Sequence, residues 1–198
     1  MKFLRQIKNR KGSLSIMRKT IGFISDTHGG IDETLRALDV LKDCDIIYHL
    51  GDVLYHGPRN ALPNDYNPKD LASYLKERDN IIYVRGNCDS DVDQMVIEKD
   101  LTQKARVVDI NGLKTLLIHG YEETEFARIQ YAKDSGIKMI VTGHTHIKVL
   151  DEKDGIILLN PGSTTIPKDG KASVAKMDDE KIMLINIYTG EILKEIKY

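Results

Sequence analysis

No stretch of this chain approaches the roughly 20 consecutive apolar residues that cross a bilayer, and no apolar N-terminal segment precedes a small-residue cleavage site. A soluble, cytoplasmic protein with no membrane partner is therefore expected. Cysteine is scarce: Cys44 and Cys88 are the only two, they lack C-x-x-C spacing, and no disulfide is expected. There is no internal repeat and no low-complexity segment. Acidic residues are missing from residues 1 to 19, which hold seven Lys/Arg, so the other 179 residues carry 22 basic against 30 acidic groups, a balance of −8. A body of that sign repels a polyphosphate, and no aromatic-rich basic groove offsets it, so nuclease activity and a nucleic-acid polymer partner are disfavoured.

What is present suffices for one domain, since 41% of the 198 residues are apolar. Residues 1–17 read as a basic N-terminal extension, expected to be disordered. Met17, followed by Arg18-Lys19 and a strong strand, marks the start of a domain over residues 18–198. Thr20 to Ser25 is an apolar run of strand length, and Leu35, Leu38 and Leu41 recur at helical spacing over Ile31 to Leu41. Asp45 to Tyr48 predicts a second strand, Pro68 to Arg78 a helix with proline near its start, and Ile81 to Val84 a third strand. Such alternation implies a mainly parallel sheet covered by helices, an α/β fold. Asn111-Gly112 between Arg106–Ile110 and Lys114–Ile118 is a hairpin signal. A helix over Glu122 to Asp134 and a strand over Lys138 to Val141 restore the rhythm. Beyond Ile147 short strands are split by Lys153-Asp154-Gly155, Pro161-Gly162, Asp178-Asp179 and Thr189-Gly190, predicting a more antiparallel sheet built by the later half and stacked on the first.

The ends of the apolar runs carry the chemistry. "ISDTHGG" supplies Asp26 and His28, "HLGD" Asp52, "RGNCD" Asn87, "LIHG" His119, and "MIVTGHTH" His144 and His146. Loops after the carboxyl ends of strands gather at one edge of an α/β sheet, so these distant residues can converge. A lone histidine after a strand is more often structural, and each short motif is weak by itself, but the set is not. Two Asp, one Asn and four His suit Mn, Fe, Zn, Ni or Co, and seven ligands exceed what one ion takes. Two divalent ions are implied, with Asp52 or Asp26 shared between them. His49, ahead of Leu50, reads instead as a buried, hydrogen-bonded histidine.

The ordered series DTH, GD, GN, HG and GHTH resembles the calcineurin-like metallophosphoesterase superfamily from Thr20 to the C-terminus. Within it, "GDVLYHGPRNALP", "VRGNCDSDVDQM", "GHTH" and "NPGSTTIPK" are similar to the bacterial YfcE-type phosphodiesterases. The resemblance implies a four-layer α/β/β/α sandwich of two mixed sheets. It also implies Asp26, His28 and His146 on one metal, Asn87, His119 and His144 on the other, Asp52 bridging, and Mn²⁺ as the expected ion. The expected reaction is hydrolysis of a small phosphodiester by a metal-bridging hydroxide, with Asn87, His119 and Cys88 as the catalytic positions.

Cys88 departs from the family pattern, where histidine commonly follows the asparagine and protonates the leaving oxygen or stabilises ester charge. A thiol with pKa near 8.5 is a poorer donor than an imidazole near 6.5, and adjacent Asp89 would disfavour the thiolate. Cys88 is thus read as a replacement that weakens monoester hydrolysis relative to diester hydrolysis, or else as filler in a cramped turn. The loop of about 17 residues containing "YHGPRN" is long enough to suggest function, and His56 and Arg59 are the expected substrate contacts. Arg85 is expected to pair with a nearby acid. The alternatives are a protein-interaction scaffold on the same fold, as in the retromer subunit whose metal site is impaired, or a phosphoprotein phosphatase. Homo-oligomerisation is left open by the sequence.

Overall fold

The strand Ile21–Ile24 sets the plan of the molecule because it is buried on both faces. Phe23 points into one core and Ile24 into another, as the two-residue period of a strand requires. Gly22, two residues before Ile24 and on the same face, is where a Cβ would already touch Leu41 Cδ1 at 3.0 Å, so its small size admits the following helix. The computed structural model describes residues 7–8, 14–15 and 18–198. Its first elements are β1 (Ile7–Lys8) and β2 (Leu14–Ser15), which pair antiparallel. The rest of the segment expected to be disordered lies outside the described residues.

From β3 (Ile21–Ile24) the chain passes through α1 (Ile31–Val40), β4 (Ile46–His49), α2 (Pro68–Lys76) and β5 (Ile81–Tyr83). Next come α3 (Asp91–Ile97), the hairpin β6 (Ala105–Ile110) and β7 (Leu113–Ile118), α4 (Glu125–Ser135) and β8 (Met139–Val141). The last strands are β9 (Val149–Lys153), β10 (Ile156–Asn160), β11 (Ser173–Met177), β12 (Lys181–Asn186) and β13 (Ile192–Lys197). One sheet has the order β13-β12-β11-β3-β4-β5, the other β6-β7-β8-β10-β9. Both are mixed: β3-β4-β5 and β7-β8-β10 run parallel, while their flanking strands run antiparallel.

Three apolar layers hold four layers of structure. Helices α1 and α2 cover the six-stranded sheet through Leu38, Leu41, Leu71 and Leu75. Phe23, Tyr48, Leu117, Met139 and Leu159 fill the space between the sheets, with Phe23 stacked on Tyr48 at 5.9 Å between centroids. Helix α4 covers the far face through Ile129 and Ala132. This is the four-layer α/β/β/α sandwich. Burying a side chain such as Phe23 contributes roughly 1.5–3 kcal/mol.

The local signals act as their chemistry predicts. Asn67 accepts from the Asp70 N–H at 3.2 Å and Pro68 opens α2. Asn111 and Gly112 adopt φ of 52° and 90°, as a tight hairpin turn needs. Two expectations require correction. The later half does not form one stacked sheet: β11, β12 and β13 return to extend the sheet begun by β3, and only β9 and β10 join β8. Helix α4 starts three residues later than expected, because Thr124 caps it by accepting from Ala127 N at 3.2 Å. Helix α3 was not anticipated, although the Ser90–Asp93 capping box that starts it is visible in the sequence. Both cysteines are free, and among the described residues no helix is long and apolar enough to cross a membrane.

Candidate metal centre

The loops after β3, β4, β5, β7 and β8 meet at one edge, and they carry the seven residues singled out in the sequence. Asp26, His28, Asp52, His119 and His146 are all at most 2% exposed. One ligand atom from each of Asp26, His28 and His146 lies within 4.8 Å of the other two, and the same holds for Asp52, His119 and His144. Asp52 also groups with His28 and Cys88 at that range, so its carboxylate stands between the two sets. Asn87 is exposed at the mouth, where its amide donates to the Cys88 sulfur at 3.2 Å.

The rings are aimed before any ion is considered. Nδ1 of His28, His119 and His146 donates to the carbonyls of Tyr55, Leu50 and Ile166 at 2.7, 2.6 and 2.9 Å. A carbonyl can only accept, so the proton is fixed on Nδ1 and each Nε2 faces inward, the arrangement by which outer partners orient metal-binding imidazoles. Nε2 of His146 is 3.3 Å from Asp26 Oδ1, and Nε2 of His119 is 3.3 Å from Asp52 Oδ2. The carboxylates are held in the same way. Ser25 Oγ and His144 N donate to Asp26 Oδ2 at 2.6 and 3.0 Å, while Cys88 N donates to Asp52 Oδ1 at 2.8 Å. Asp26 Oδ1 and His119 Nε2 are buried without a hydrogen-bond partner. Unsatisfied buried atoms of this kind call for a reason, and a pair of divalent ions fits the donor set.

The backbone is strained where these side chains leave it. Asp26, His28, Asp52, His144 and His146 have φ of 53°, 43°, 59°, 66° and 58°. The left-handed region costs a non-glycine residue about 1 kcal/mol or more, and such strain gathers at functional sites. Two neighbouring glycines serve close approach: a Cβ on Gly86 would lie 2.2 Å from Asp52 Oδ1, and one on Gly143 2.0 Å from Ser25 Oγ.

Asp89 has a larger role than the sequence suggested. Its carboxylate accepts from Asp52 N, Val53 N and Gly86 N at 2.9, 2.7 and 2.7 Å, tying the loops after β4 and β5 together. Only its place after the Gly-Asn pair hinted at this, because the partners are backbone groups. His49 is the buried histidine expected: 1% exposed, bonded to Thr27 Oγ1 and Gly51 N, and pushed down to about 3 by burial. Arg85 pairs with Asp91 at 2.8 Å.

Burial pushes the Cys88 thiol up to about 12, and the Asp52 carboxylate adds more to this than Asp89 does. A cysteine nucleophile has no support. Arg59 is exposed and lines a cleft of about 610 Å³ with Asp52, Asn87, Cys88, His144 and Lys168. His56 does not line it: the ring is held edge-on between Tyr55 and Tyr66, at 4.9 and 5.3 Å. Lys168 was missed in the sequence because nothing near it resembles a strand end.

Charge in the site opposes the cations of its own histidines to the carboxylates. Burial disfavours protonated His119, but Asp52 and Asp26 outweigh it and raise its pKa to about 9. Asp26 is held well below the ordinary carboxylate range: burial acts upward, and the His146 and His28 contacts overcome it. In the metal-free protein at pH 7, His119 is therefore protonated on the Nε2 that an ion would take. Metal uptake is expected to release protons, and apparent affinity to fall as pH drops below about 9. Calorimetric titration in two buffers of different ionisation enthalpy measures this, and uptake without proton release would place the ions elsewhere.

Comparison with known proteins agrees in outline with the geometry. The family model for the calcineurin-like phosphoesterase superfamily domain matches residues 19–181. The phosphodiesterase YfcE of Escherichia coli (strain K12) is 36% identical over 178 residues, which cover 88% of this chain and 95% of that protein. A solved structure of YfcE, described as a phosphoesterase from E. coli, has a TM-score of 0.80 at 33% identity over 90% of this chain and 98% of that one. Vacuolar protein sorting 29 from Cryptosporidium parvum, 20% identical with a TM-score of 0.61 over 92% of this chain and 100% of that one, shares the fold alone.

Proposed function

Because the chain belongs to the calcineurin-like phosphoesterase superfamily, we propose that it is a metal-dependent phosphodiesterase acting on small diesters with two divalent ions, Mn²⁺ foremost. The observation that carries this reading is the set of three imidazoles with Nδ1 fixed on backbone carbonyls and Nε2 turned toward two buried carboxylates. Asp26, His28 and His146 would hold one ion. His119, His144 and Asn87 would hold the other, with Asp52 between them. When bound there, such ions would supply Lewis acidity, lowering the pKa of a water and drawing charge from the phosphoryl oxygens.

The chain's own residues do the rest. The Asp89 carboxylate fixes the backbone on both sides of Asp52, and Ser25 with the His144 N–H fixes one oxygen of Asp26, so that the other is free to ligate. Asn87 stands at the cleft mouth, where its amide can meet an ester oxygen. Arg59 and Lys168 line the same cleft and offer cationic donors to the non-reacting oxygens in an otherwise acidic body. Cys88, uncharged at neutral pH, supplies no cation to the leaving oxygen. A diester monoanion depends on such a cation less than a monoester dianion, and this favours diesters.

The test compares a chromogenic aryl diester with the corresponding monoester, using protein stripped by chelator and reloaded with Mn²⁺. Diester turnover that is lost on stripping and restored on loading is expected, with the monoester slower. Cys88→His is expected to shift the ratio toward the monoester by about 10-fold or more, part of the roughly 10²- to 10⁴-fold that a well-placed general acid contributes. An unchanged ratio would refute the role given to Cys88, and metal-independent turnover would refute the reading as a whole.

A further inference from the structure

Tyr55 borders two concavities. On one side it lines the cleft over the candidate ligands; on the other it opens a groove of about 590 Å³ between α2 and α3. Tyr66 and Ala72 form one wall of the groove, and Val92, Met95 and Val96 form the other. The last three are 63%, 73% and 46% exposed, so α3 inverts the usual amphipathic pattern, burying Asp93 and Ile97 while presenting apolar side chains to solvent. Contiguous exposed apolar surface of this kind marks a binding site.

Two links make the groove continuous with the centre. The Tyr55 carbonyl accepts the Nδ1–H of His28, so the shared wall is fixed to a candidate ligand. The segment from Cys88 to Val92 leaves the cleft wall and becomes the groove wall. Whatever is bonded to a phosphate in the cleft therefore has an apolar channel beside it. Its volume falls within the range of small-molecule sites, and unbranched Met95 can mould itself to a flexible chain.

We infer that the α2–α3 groove receives an apolar ester arm of the substrate, an alkyl or aryl group attached to the phosphate held in the cleft. This inference rests on the phosphodiesterase reading and names the substrate class within it: diesters with one bulky apolar arm, leaving Arg59 and Lys168 to face the polar arm.

The test is a series of p-nitrophenyl alkyl phosphodiesters from methyl to hexyl, assayed on the Mn²⁺-loaded protein. Burial of one methylene changes binding by roughly fourfold, so kcat/KM is expected to rise at least about 10-fold along the series, mainly through KM. In Val92→Ser/Met95→Gln, with rates normalised to the variant's own methyl ester, the slope is expected to flatten. A methyl ester that is hydrolysed as fast as the hexyl ester overturns the inference and leaves the diesterase reading standing. If no ester is turned over, the diesterase reading fails, and binding still decides the groove. The ¹³C-methyl resonance of Met95 is expected to shift with hexyl methylphosphonate and not with dimethyl phosphate; no shift overturns the inference. Self-association by sedimentation that the double variant abolishes would assign the groove to a second copy of the chain and overturn it likewise.

Discussion

Asp52→Asn is expected to lower kcat for diester hydrolysis by roughly 10³-fold, about 4 kcal/mol of transition-state stabilisation, while metal is retained more weakly at both positions and its content falls below two ions per chain. The variant keeps the shape of the side chain but removes the charge that lies 3.3 Å from His119 Nε2 and 3.7 Å from His28 Nε2. It also keeps an acceptor for the Cys88 N–H. Since the carboxylate reaches both sets of ligands, its loss should damage both, whereas loss of a ligand in one set would leave the other in place. Elemental analysis of the purified variant, kinetics at saturating metal and thermal unfolding of the stripped protein together check the claim. The stripped variant should unfold at a somewhat lower temperature, because the carboxylate that faces protonated His119 at 3.3 Å has been neutralised. Two retained ions with unchanged kcat would deny Asp52 its position between the metals.

Gly86→Ala is expected to destabilise the fold by about 3 kcal/mol, lowering the melting temperature by about 6–12 °C, and to abolish measurable turnover. The reason is contact: a Cβ there would meet Asp52 Oδ1 at 2.2 Å and Asp52 N at 2.5 Å. The second of these is main chain, which no rotamer change can move aside, and it is held by the Asp89 carboxylate that also binds Gly86 N. The side-chain change is as small as any protein can make, so the size of the effect would measure how closely the two loops are pressed together. Thermal denaturation and diester kinetics report it, and a variant as stable and active as the parent would show that the loops can separate.

The strands and the candidate ligands were legible for one reason: each polar residue follows an apolar run, and strand ends share an edge. His119 and His144 could be grouped without knowing which strands are neighbours. Sheet membership was less legible. Strands β11 to β13 read as part of a second sheet but pair beside β3, since hydrogen bonding between Ala175 and Phe23 depends on the return of a distant segment that no local pattern records. Helix α3 escaped notice because Val92, Met95 and Val96 face outward and blur the helical period. The support under the ligands was invisible as well. Tyr55, Leu50 and Ile166 act through carbonyls and Asp89 binds N–H groups, and a main-chain partner leaves no mark on residue identity.

The two candidate ion positions straddle the boundary between the sheets. Asp26 and His28 leave the six-stranded sheet and meet His146 from the five-stranded one, while Asp52 from the first meets His119 and His144 from the second. Neither half exists until the sandwich has closed, so an ion would act as a rivet through both slabs, and its binding free energy would add directly to their adhesion.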